Sequence, residues 1–458
     1  DTTENDANST LPAIGAAGSL ALNKALTIDT TPPTVIIAST TGGVNDESTT
    51  SDATIALTFT TNESTTDFAL GDITVGNGAL SSFTGSGTVY TATFTPTGQG
   101  ACTIDVAGNT FTDEVSNNNT AASQFNWTFD NVPPIVTGVS STKANGTYKQ
   151  GNLIPITVTF NEVVNVTGTP QLTLETGESD AVVNYFTGSG TNTLTFNYTV
   201  AAGHTSNDLD YVDNSSLSLN NGSINDSALN QVSLILPNPG AANSLGVNKA
   251  LVVDNTRPTV ISVSSIKEDG VYTTGEVIPI TITFSEVVNV TGNPQLKLET
   301  GNSDAVLDYS SGTGTNILTF NYTVAAGHNS ADLDYKDTNS FSSSSGTIQD
   351  LAFINASLIL PSPGGANSLG ANKALIIDTT APIVNNVTSN KTDGTYKEGD
   401  IIPINITFNE LVNVTGIPQL TLKTGQTNAV VDYSSGTGTN TLTFNYTVAA
   451  GHTSNDLD

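Results

Sequence analysis

Acidic side chains are the residues of this sequence with the clearest chemistry. The chain carries 42 Asp and Glu against 12 Lys and Arg, and no Lys or Arg lies between Ala25 and Thr142. Carboxylates that crowd without counter-charges repel one another unless cations gather around them. Their oxygens are the ligands that hard cations prefer, so the composition indicates calcium binding.

The candidate ligands recur at intervals of 124 residues. An Asp precedes each proline of several Asp-x-x-(x)-Pro joints, a Glu lies in an apolar strand-like run, and two Asp form an Asp-Leu-Asp motif. We expect calcium at the joints, where two or three carboxylates and backbone carbonyls supply its six to eight oxygens. The predicted ligands are Asp130, Glu162, Asp208, Asp210, Asp254, Glu286, Asp332, Asp334, Asp378 and Glu410.

A second interpretation of the same acids stays open. They also suit a solvated acidic surface that only keeps the chain soluble. The sequence contains no Asp-x-Asp-x-Asp-Gly loop, the motif that would favour a dedicated calcium site. The pattern alone therefore leaves both interpretations standing.

Catalytic chemistry has little support in the sequence. His204, His328 and His452 recur at one place, after Ala-Ala-Gly, which indicates a turn with a scaffold role. The glycine loop at 188–191 has no Lys and precedes a strand, so it predicts a β-hairpin turn and not a phosphate cradle. We expect no enzymatic activity.

Charge, cysteine content and hydropathy exclude other classes. The formal charge of -30 repels nucleic acid and anionic membrane surfaces. Cys102 is the single cysteine, so no intrachain disulfide forms, and we predict that it is buried as a small apolar residue. No run of 18 apolar residues predicts membrane insertion, and the first residues lack the pattern of a signal peptide. We expect any export signal or anchor to lie outside this segment.

Internal repetition defines the domains that must position the acids. Sliding the sequence by 124 residues aligns long segments without gaps, and roughly three quarters of the positions from Phe160 to Asp213 are identical to those from Phe284 to Asp337. We expect the segment to be a window on a longer array. The predicted domains are the end of a preceding repeat at 1–29, a short unit at 30–132, long repeats at 133–256 and 257–380, and a truncated long repeat at 381–458.

Each repeat shows the two-residue period of strands with one buried face. From Ile154 to Phe160 every even position is apolar while Thr and Pro occupy the others. Seven or more such strands per repeat predict a two-sheet sandwich, and the fold class is all-β. Proline at each joint fixes φ and holds its predecessor extended, so we expect stiff connections and an extended rod.

These motifs resemble the bacterial Ig-like repeats of giant cell-surface adhesins, motility-associated proteins and surface-layer-type proteins. The joint, the Val-Thr-Gly-x-Pro-Gln-Leu-x-Leu core and the Asp-Leu-Asp-Tyr segment carry the resemblance, and the unit at 30–132 is similar to another bacterial Ig-like module. It implies tandem immunoglobulin-like or cadherin-like sandwiches outside the cell. The recurring acids resemble the sets by which cadherin-like domains clamp calcium at domain junctions.

Two functions follow from the resemblance. The first is a structural spacer or filament segment that contacts copies of itself in a fibre or layer. The second is an adhesive module that binds a glycan or a protein on another surface. Differences between the repeats are scattered, as at 341–354 against 217–230, which favours the spacer or filament.

Asn-x-Ser/Thr sequons are abundant, although the Asn, Ser and Thr content alone produces about as many by chance. Three of them lie on strands between inward-facing aromatic residues, which places the Asn on the outer face. We expect glycosylation to be sterically allowed there. The candidate positions are Asn165, Asn197, Asn289, Asn321, Asn413 and Asn445.

Overall fold

The structure, a computed structural model, describes residues 9–458. The first eight residues of the predicted closing segment at 1–29 lie outside the described residues. The chain divides into two compact units, Asp1–Asn255 and Thr256–Asp458.

The first unit opens with a short helical turn and a small sandwich. Its apolar residues alternate along the strands, so that Ile55, Leu57 and Phe59 face inward while Ala56 and Thr60 face outward. The elements are α1 (Leu20–Asn23), β1 (Val35–Ser39), β2 (Ser48–Thr50), β3 (Ile55–Thr65), a 3₁₀ turn (Leu70–Asp72), β4 (Ile73–Gly76), β5 (Gly78–Pro96), β6 (Gly100–Val106) and β7 (Phe125–Phe129).

Two sheets enclose the core of this sandwich. One has the order β1-β3-β5, and the other has the order β2-β7-β6-β4 with β2 parallel to β7. Trp127 packs edge-on against Phe94 at 4.6 Å between ring centroids, and both side chains are buried. Cys102 is buried in the same core, as predicted from the sequence.

The first long repeat completes this unit. Its strands and closing helical turn are β8 (Val136–Ser141), β9 (Gly146–Tyr148), β10 (Leu153–Thr167), β11 (Gln171–Leu174), β12 (Ala181–Thr187), β13 (Thr191–Thr199), β14 (Leu217–Ser218), β15 (Ser223–Asn225), α2 (Leu245–Asn248) and β16 (Leu251–Val253). The order of the main strands is β14-β11-β12-β13-β10-β15, and β8 also pairs with β10.

The long strand β10 changes partner part-way along its length. Its first half pairs with β8 and β13, the register shifts between Thr159 and Val164, and its last residues pair with β15. A bulge of this kind bends the strand and redirects the side chains within it. The shift in β10 therefore turns the segment that contains Glu162.

The repeat is closed by its last segment. Ser244 caps α2 by accepting a hydrogen bond from the Val247 amide, and Leu245 is fully buried. Strand β16 then pairs in parallel with β9, which buries Leu251 and Val253 against the core.

The second unit contains two further repeats. The complete one has β17 (Val260–Ser265), β18 (Gly270–Tyr272), β19 (Val277–Thr291), β20 (Gln295–Glu299), β21 (Ala305–Ser311), β22 (Thr315–Thr323), β23 (Asp334–Tyr335), β24 (Phe341–Ser342), β25 (Thr347–Gln349), α3 (Leu369–Asn372) and β26 (Leu375–Ile377). The other has β27 (Val384–Ser389), β28 (Ile401–Val412), β29 (Gln419–Leu422), β30 (Ala429–Ser435) and β31 (Thr439–Thr447).

The same register shift recurs in both repeats, between Thr283 and Val288 and between Thr407 and Val412. Each repeat has its own cluster of buried apolar side chains. The prediction of an all-β chain is confirmed, since the helices of the described residues are turns of four residues or fewer. No helix within residues 9–458 is long and apolar enough to cross a membrane.

Candidate metal site

The first element of the site is the Asp that precedes each proline joint. The Oδ1 of Asp29 accepts a hydrogen bond from the Thr31 amide at 2.9 Å, and the Oδ1 of Asp130 accepts one from the Val132 amide at 3.0 Å. Such a contact, from a side chain to the backbone two residues on, is an Asx turn. It fixes the direction in which the carboxylate points.

The second element is a Glu in the bend of a long strand. Glu162 lies within the register shift of β10, and Glu63 lies within the equivalent shift of β3. The Asn immediately before each Glu holds the first strand region of its own domain in place. Asn161 Oδ1 accepts from the Ile135 amide at 2.7 Å, and Asn62 Oδ1 accepts from the Thr34 amide at 2.6 Å.

The third element is a buried Asp in a loop near the end of the domain. Asp226 is 1% exposed, and its Oδ1 accepts from the Asn230 amide at 2.8 Å. In the same way, Asp113 Oδ1 accepts a hydrogen bond from the Asn117 amide at 2.8 Å. Asp226 directly follows β15, whose Asn225 pairs with Asn165 of β10. That pairing brings the loop close to the bend that contains Glu162.

The three elements meet at two places in the first unit. Asp130, Glu162 and Asp226 each offer a carboxylate oxygen, and these oxygens lie within 4.8 Å of one another. The second place has the same arrangement, made by Asp29, Glu63 and Asp113. The short unit and the long repeat therefore build one site from equivalent positions of two different sequences.

Asparagine side chains tie the loop to the joint. The Nδ2 of Asn230 donates to the Asp130 carbonyl at 2.9 Å and to Asp226 Oδ2 at 2.9 Å. In the short unit, the Nδ2 of Asn117 donates to the Asp29 carbonyl at 3.2 Å and to Asp113 Oδ2 at 2.8 Å. Each cluster thus includes a joint residue whose backbone is fixed as well as its side chain.

The carboxylates of a cluster influence one another. The pKa of Glu162 is raised, first by partial burial and then by the charges of Asp130 and Asp226. Burial opposes ionisation of Asp113, but hydrogen bonds from Asn117, Val115 and Ser116 outweigh it and lower the pKa of that carboxyl. The clusters therefore concentrate negative charge that a cation would neutralise.

The geometry fits a calcium ion. Calcium–oxygen distances are about 2.3–2.6 Å, so ligand oxygens around one ion lie up to about 5 Å apart. Three carboxylates at this spacing meet that condition, and an ion of this kind accepts backbone carbonyls and water for its remaining positions. Asp130 and Glu162 are predicted ligands that the structure brings together.

Other predicted ligands lie elsewhere in the repeat. Asp208 and Asp210 face Gly246 of α2, where a Cβ would lie 3.0 Å from Asp210 Oδ2 and 3.3 Å from Asp208 Oδ2. Burial and the charge of Asp210 raise the pKa of Asp208. Asp210 accepts from the Tyr211 amide at 3.0 Å and the Gly240 amide at 3.1 Å. The Asp-Leu-Asp motif thus orders the closing segment, and neither Asp belongs to the cluster at Asp130.

The second unit repeats this pairing. Asp334 accepts from the Tyr335 and Gly364 amides, both at 2.9 Å. Burial, the charge of Asp334 and the charge of Asp269 raise the pKa of Asp332. These two predicted ligands therefore have the same structural role as Asp208 and Asp210.

The remaining predicted ligands are placed at joints or bends. The Asp254 amide donates to the Tyr148 carbonyl at 2.9 Å, directly after β16. The Asp378 amide donates to the Tyr272 carbonyl at 3.0 Å, and its Oδ1 accepts from the Thr380 amide at 2.9 Å. Glu286 lies in β19 within the register shift of that strand.

Glu410 occupies the same bend in the last repeat. Its Oε1 is buried and has no hydrogen-bond partner among the described residues.

Sequence reasoning missed Asp226. A signal was present, since Asp226 recurs as Asp350 at the same interval as the predicted ligands. Asp350 also accepts from an amide four residues later, that of Ile354, at 2.9 Å. The residue three positions after each of these Asp residues has a positive φ: Leu229 (68°) after Asp226 and Phe353 (61°) after Asp350. The repeat thus conserves the loop geometry between its own copies while the residues around the Asp change.

The histidines have a packing role. His204 Nδ1 lies 2.9 Å from the Tyr198 hydroxyl, with the two rings nearly parallel at 5.9 Å between centroids. The contact recurs for His328 at 3.0 Å and for His452 at 2.8 Å. Each histidine holds the turn that follows a core strand.

The sequon asparagines lie at the surface or at its edge. Asn165, Asn289, Asn321, Asn413 and Asn445 are exposed, and Asn197 is half-buried. The Nδ2 of Asn321 donates to Ser310 Oγ at 3.0 Å, and that of Asn445 donates to Ser434 Oγ at 2.7 Å. Glycosylation of these positions stays a prediction.

Comparisons with known proteins bear on the fold of the short unit. Residues 29–129 match the family of bacterial Ig-like domains. No curated protein sequence matches the chain.

Among solved structures, an I-band fragment of titin is 10% identical, covering 65% of this chain and 90% of its own, with a TM-score of 0.24. Invasin, a bacterial integrin-binding protein, is 11% identical, covering 91% of this chain and 79% of its own, with a TM-score of 0.26. Residues 29–129 thus match the family of bacterial Ig-like domains, and the sheets described above make the chain a tandem of Ig-like β-sandwiches.

Proposed function

We propose that the chain is a non-catalytic structural segment of an extracellular or cell-surface protein, in which repeated sandwiches set length and stiffness. The recurrence of one three-carboxylate joint in two different domains carries this proposal. The same arrangement at successive domain boundaries favours a role in the connection between domains over a role within one isolated domain. The family match of the short unit supports a surface protein of bacterial Ig-like type.

Direct contacts within the first unit support stiffness. Ser51 Oγ of the short unit donates to the Ala228 carbonyl of the long repeat at 2.9 Å. Asn230 of the same loop donates to the Asp130 carbonyl at the joint. The Pro133–Pro134 pair restricts the backbone between these contacts. Side chain, backbone and proline thus all limit rotation at this joint.

Calcium is the proposed cofactor of these joints. Bound between Asp130, Glu162 and Asp226, the ion would replace mutual repulsion with a cross-link between the joint, the strand bend and the loop. The raised pKa of Glu162 supports this proposal: burial raises it first, and the charges of Asp130 and Asp226, whose repulsion a cation would relieve, raise it further. Calcium at the predicted positions Asp208, Asp210, Asp332 and Asp334 would require a separate site, so we propose the joint clusters first.

Calorimetric titration of the chelator-treated chain with calcium tests this proposal. We expect binding at the joint clusters, a higher melting temperature and a narrower distribution of lengths in small-angle scattering. Asp226→Asn should remove the binding event at its own joint. Asp180→Asn is the matched control, because it removes an acid that lies outside the clusters. Equal calcium binding by Asp226→Asn and the parent chain would rule out this joint as a site.

Copies of the chain are the proposed partners, arranged in a fibre or a layer. The 124-residue repeat places similar strands at regular intervals along the sequence, which suits lateral contact between copies. Negative-stain microscopy of native material would show ordered fibres or sheets. Isolated thin strands at all concentrations would instead favour a spacer without self-assembly.

A further inference from the structure

One sheet face of the first long repeat differs from the same face of the second. In the second repeat, Lys297 and Lys336 each contact Asp304 at 2.8 Å, which makes the face charged. Thr173 and Val212 stand at the positions of these two lysines in the first repeat. The first repeat therefore has no lysine beside its equivalent acid.

An exposed aromatic ring occupies this face only in the first repeat. Phe186 is 65% exposed on β12, where the two later repeats have Ser310 and Ser434. In those repeats the serine Oγ accepts a hydrogen bond from the neighbouring Asn321 or Asn445. Phenylalanine has no such acceptor. The substitution therefore adds an apolar surface and leaves Asn197, the equivalent of these asparagines, facing a ring in place of a hydroxyl.

The polar groups around the ring are mostly neutral. Asn184 stands where the later repeats have Asp308 and Asp432, and its Oδ1 accepts from Gln171 Nε2 at 2.9 Å. Val182, which is 58% exposed, shares the outward face of β12 with Asn184 and Phe186. The face therefore combines an aromatic ring with amides in a chain that is otherwise strongly acidic.

These residues surround a hollow. It has a volume of about 530 Å³ and is lined by Phe186, Val182, Asn184, Asn197 and Asp180, among others. Small-molecule sites commonly have volumes of about 300–1,000 Å³, with apolar walls and a few convergent polar groups. The volume of the hollow thus falls within the range of small-molecule sites.

We propose that this face of the first long repeat binds a neutral oligosaccharide. The exposed Phe186 ring would pack against the C–H face of a sugar, and the amides of Asn184 and Asn197 and the carboxylate of Asp180 would bond its hydroxyls. Acidic sugars are disfavoured by Asp180 and by the formal charge of -30. A protein contact would need a larger continuous apolar surface than one ring and Val182 provide.

This inference goes beyond the structural role and does not depend on it. The test uses the whole chain on an array of neutral hexose and N-acetylhexosamine oligosaccharides, followed by saturation-transfer NMR with those that bind. We expect binding that Phe186→Ser weakens by about tenfold or more, which corresponds to at least about 1.4 kcal/mol. Serine occupies this position in both later repeats, so the variant is expected to fold.

Ile261→Ser is the matched control, since Ile261 is 50% exposed on the second long repeat and lies outside this face. Asn184→Asp should also weaken binding, because it restores the residue type of the later repeats. Absence of binding to every oligosaccharide on the array, or equal binding by Phe186→Ser and the parent chain, would overturn the proposal. It would also be overturned if Phe186→Ser abolished self-association while saccharide binding stayed unchanged.

Discussion

The Asn230 side chain joins two residues that lie far apart in sequence, since its Nδ2 donates to the Asp130 carbonyl and to the Asp226 carboxylate, both at 2.9 Å. One amide group thus fixes the loop of the long repeat against the residue that ends the short unit. Asn117 forms the equivalent contacts with Asp29 and Asp113. The hydrogen bonds hold the acids in place independently of any cation.

Asn230→Ala is expected to loosen this joint. The substitution removes both side-chain contacts and leaves the Asp226 carboxylate with fewer donors, which costs about 1–3 kcal/mol for a buried charged acceptor. Hydrogen exchange should speed up in the loop that contains Asp226, and the melting temperature should fall. Asn207→Ala, which changes an exposed Asn of the same repeat, is the control. Unchanged exchange in Asn230→Ala would show that the loop is held by other contacts.

Glu162→Gln should have opposite effects with and without calcium. In chelator, the variant removes repulsion from Asp130 and Asp226, so its melting temperature should equal or exceed that of the parent chain. In calcium, the variant loses a charged ligand and should be less stable than the parent. Thermal melting of both proteins in both buffers provides the measurement. A variant that is less stable by the same amount in both buffers would argue against calcium at this joint.

The pH dependence of the stability difference between Glu162→Gln and the parent chain follows from the raised pKa of Glu162. Without calcium, the folded state binds the Glu162 proton more tightly than the unfolded state does, so stability falls as pH rises from the ordinary pKa through the raised one. Glu162→Gln cannot titrate and lacks this loss. Its advantage in chelator should therefore be small below the ordinary Glu pKa, about pH 4, and largest above the raised pKa.

The repeated fold could be predicted because its signals are local or periodic. Alternating residues such as Ile154, Ile156 and Val158 are buried as the two-residue period requires. The 124-residue interval located equivalent strands, such as Leu153–Thr167 and Val277–Thr291. Asp130 and Glu162 could also be named in advance, because both recur in motifs that stand out from their surroundings.

The third acid of the cluster, Asp226, could not be predicted from the spacing of residues in the sequence. Asp226 reaches the joint because β15 pairs with the end of β10, and nothing in the local sequence specifies that pairing. Conversely, Asp208 and Asp210 recur as regularly as Glu162 but face α2, where they order the closing segment. Recurrence identifies residues that a repeat needs, and only the strand pairing distinguishes a site residue from a structural one.

Asp304→Asn tests the charged face of the second long repeat. Lys297 and Lys336 lower the pKa of Asp304 to about 2 through hydrogen bonds and charge. Because the folded pKa is below the unfolded value, this contribution is present above the ordinary Asp pKa and is lost as pH falls towards about 2. The parent chain should therefore be more stable than the variant near pH 6, and the difference should shrink between about pH 4 and pH 2.

The control for this prediction is Asp180→Asn in the first long repeat. Thr173 and Val212 replace the two lysines there, so its effect on stability should be smaller at every pH. Thermal melting across the acidic range measures both variants. A difference between Asp304→Asn and the parent that did not change with pH would show that the lysines do not act through the charge of Asp304.

Tyr211→Phe tests the structural role of the Asp-Leu-Asp-Tyr motif. The Tyr211 ring is buried and its hydroxyl donates to the Pro237 carbonyl at 2.5 Å, which anchors the segment leading to α2. Burial raises the pKa of this phenol well above its usual value, as does the charge of Asp210. Removing the hydroxyl keeps the packing and deletes one buried hydrogen bond, so the expected loss of stability is about 0.5–1.5 kcal/mol.

Tyr335→Phe offers an internal replicate, because its hydroxyl donates to the Pro361 carbonyl at the same distance of 2.5 Å. Chemical denaturation should show similar losses for the two variants if the motif has one role in both repeats. Tyr185→Phe is the contrasting variant, since that hydroxyl accepts from the exposed Ser189 amide at 2.8 Å and should matter less. Equal losses for Tyr211→Phe and Tyr185→Phe would mean that burial of the closing segment, and not the hydroxyl contact, holds the motif in place.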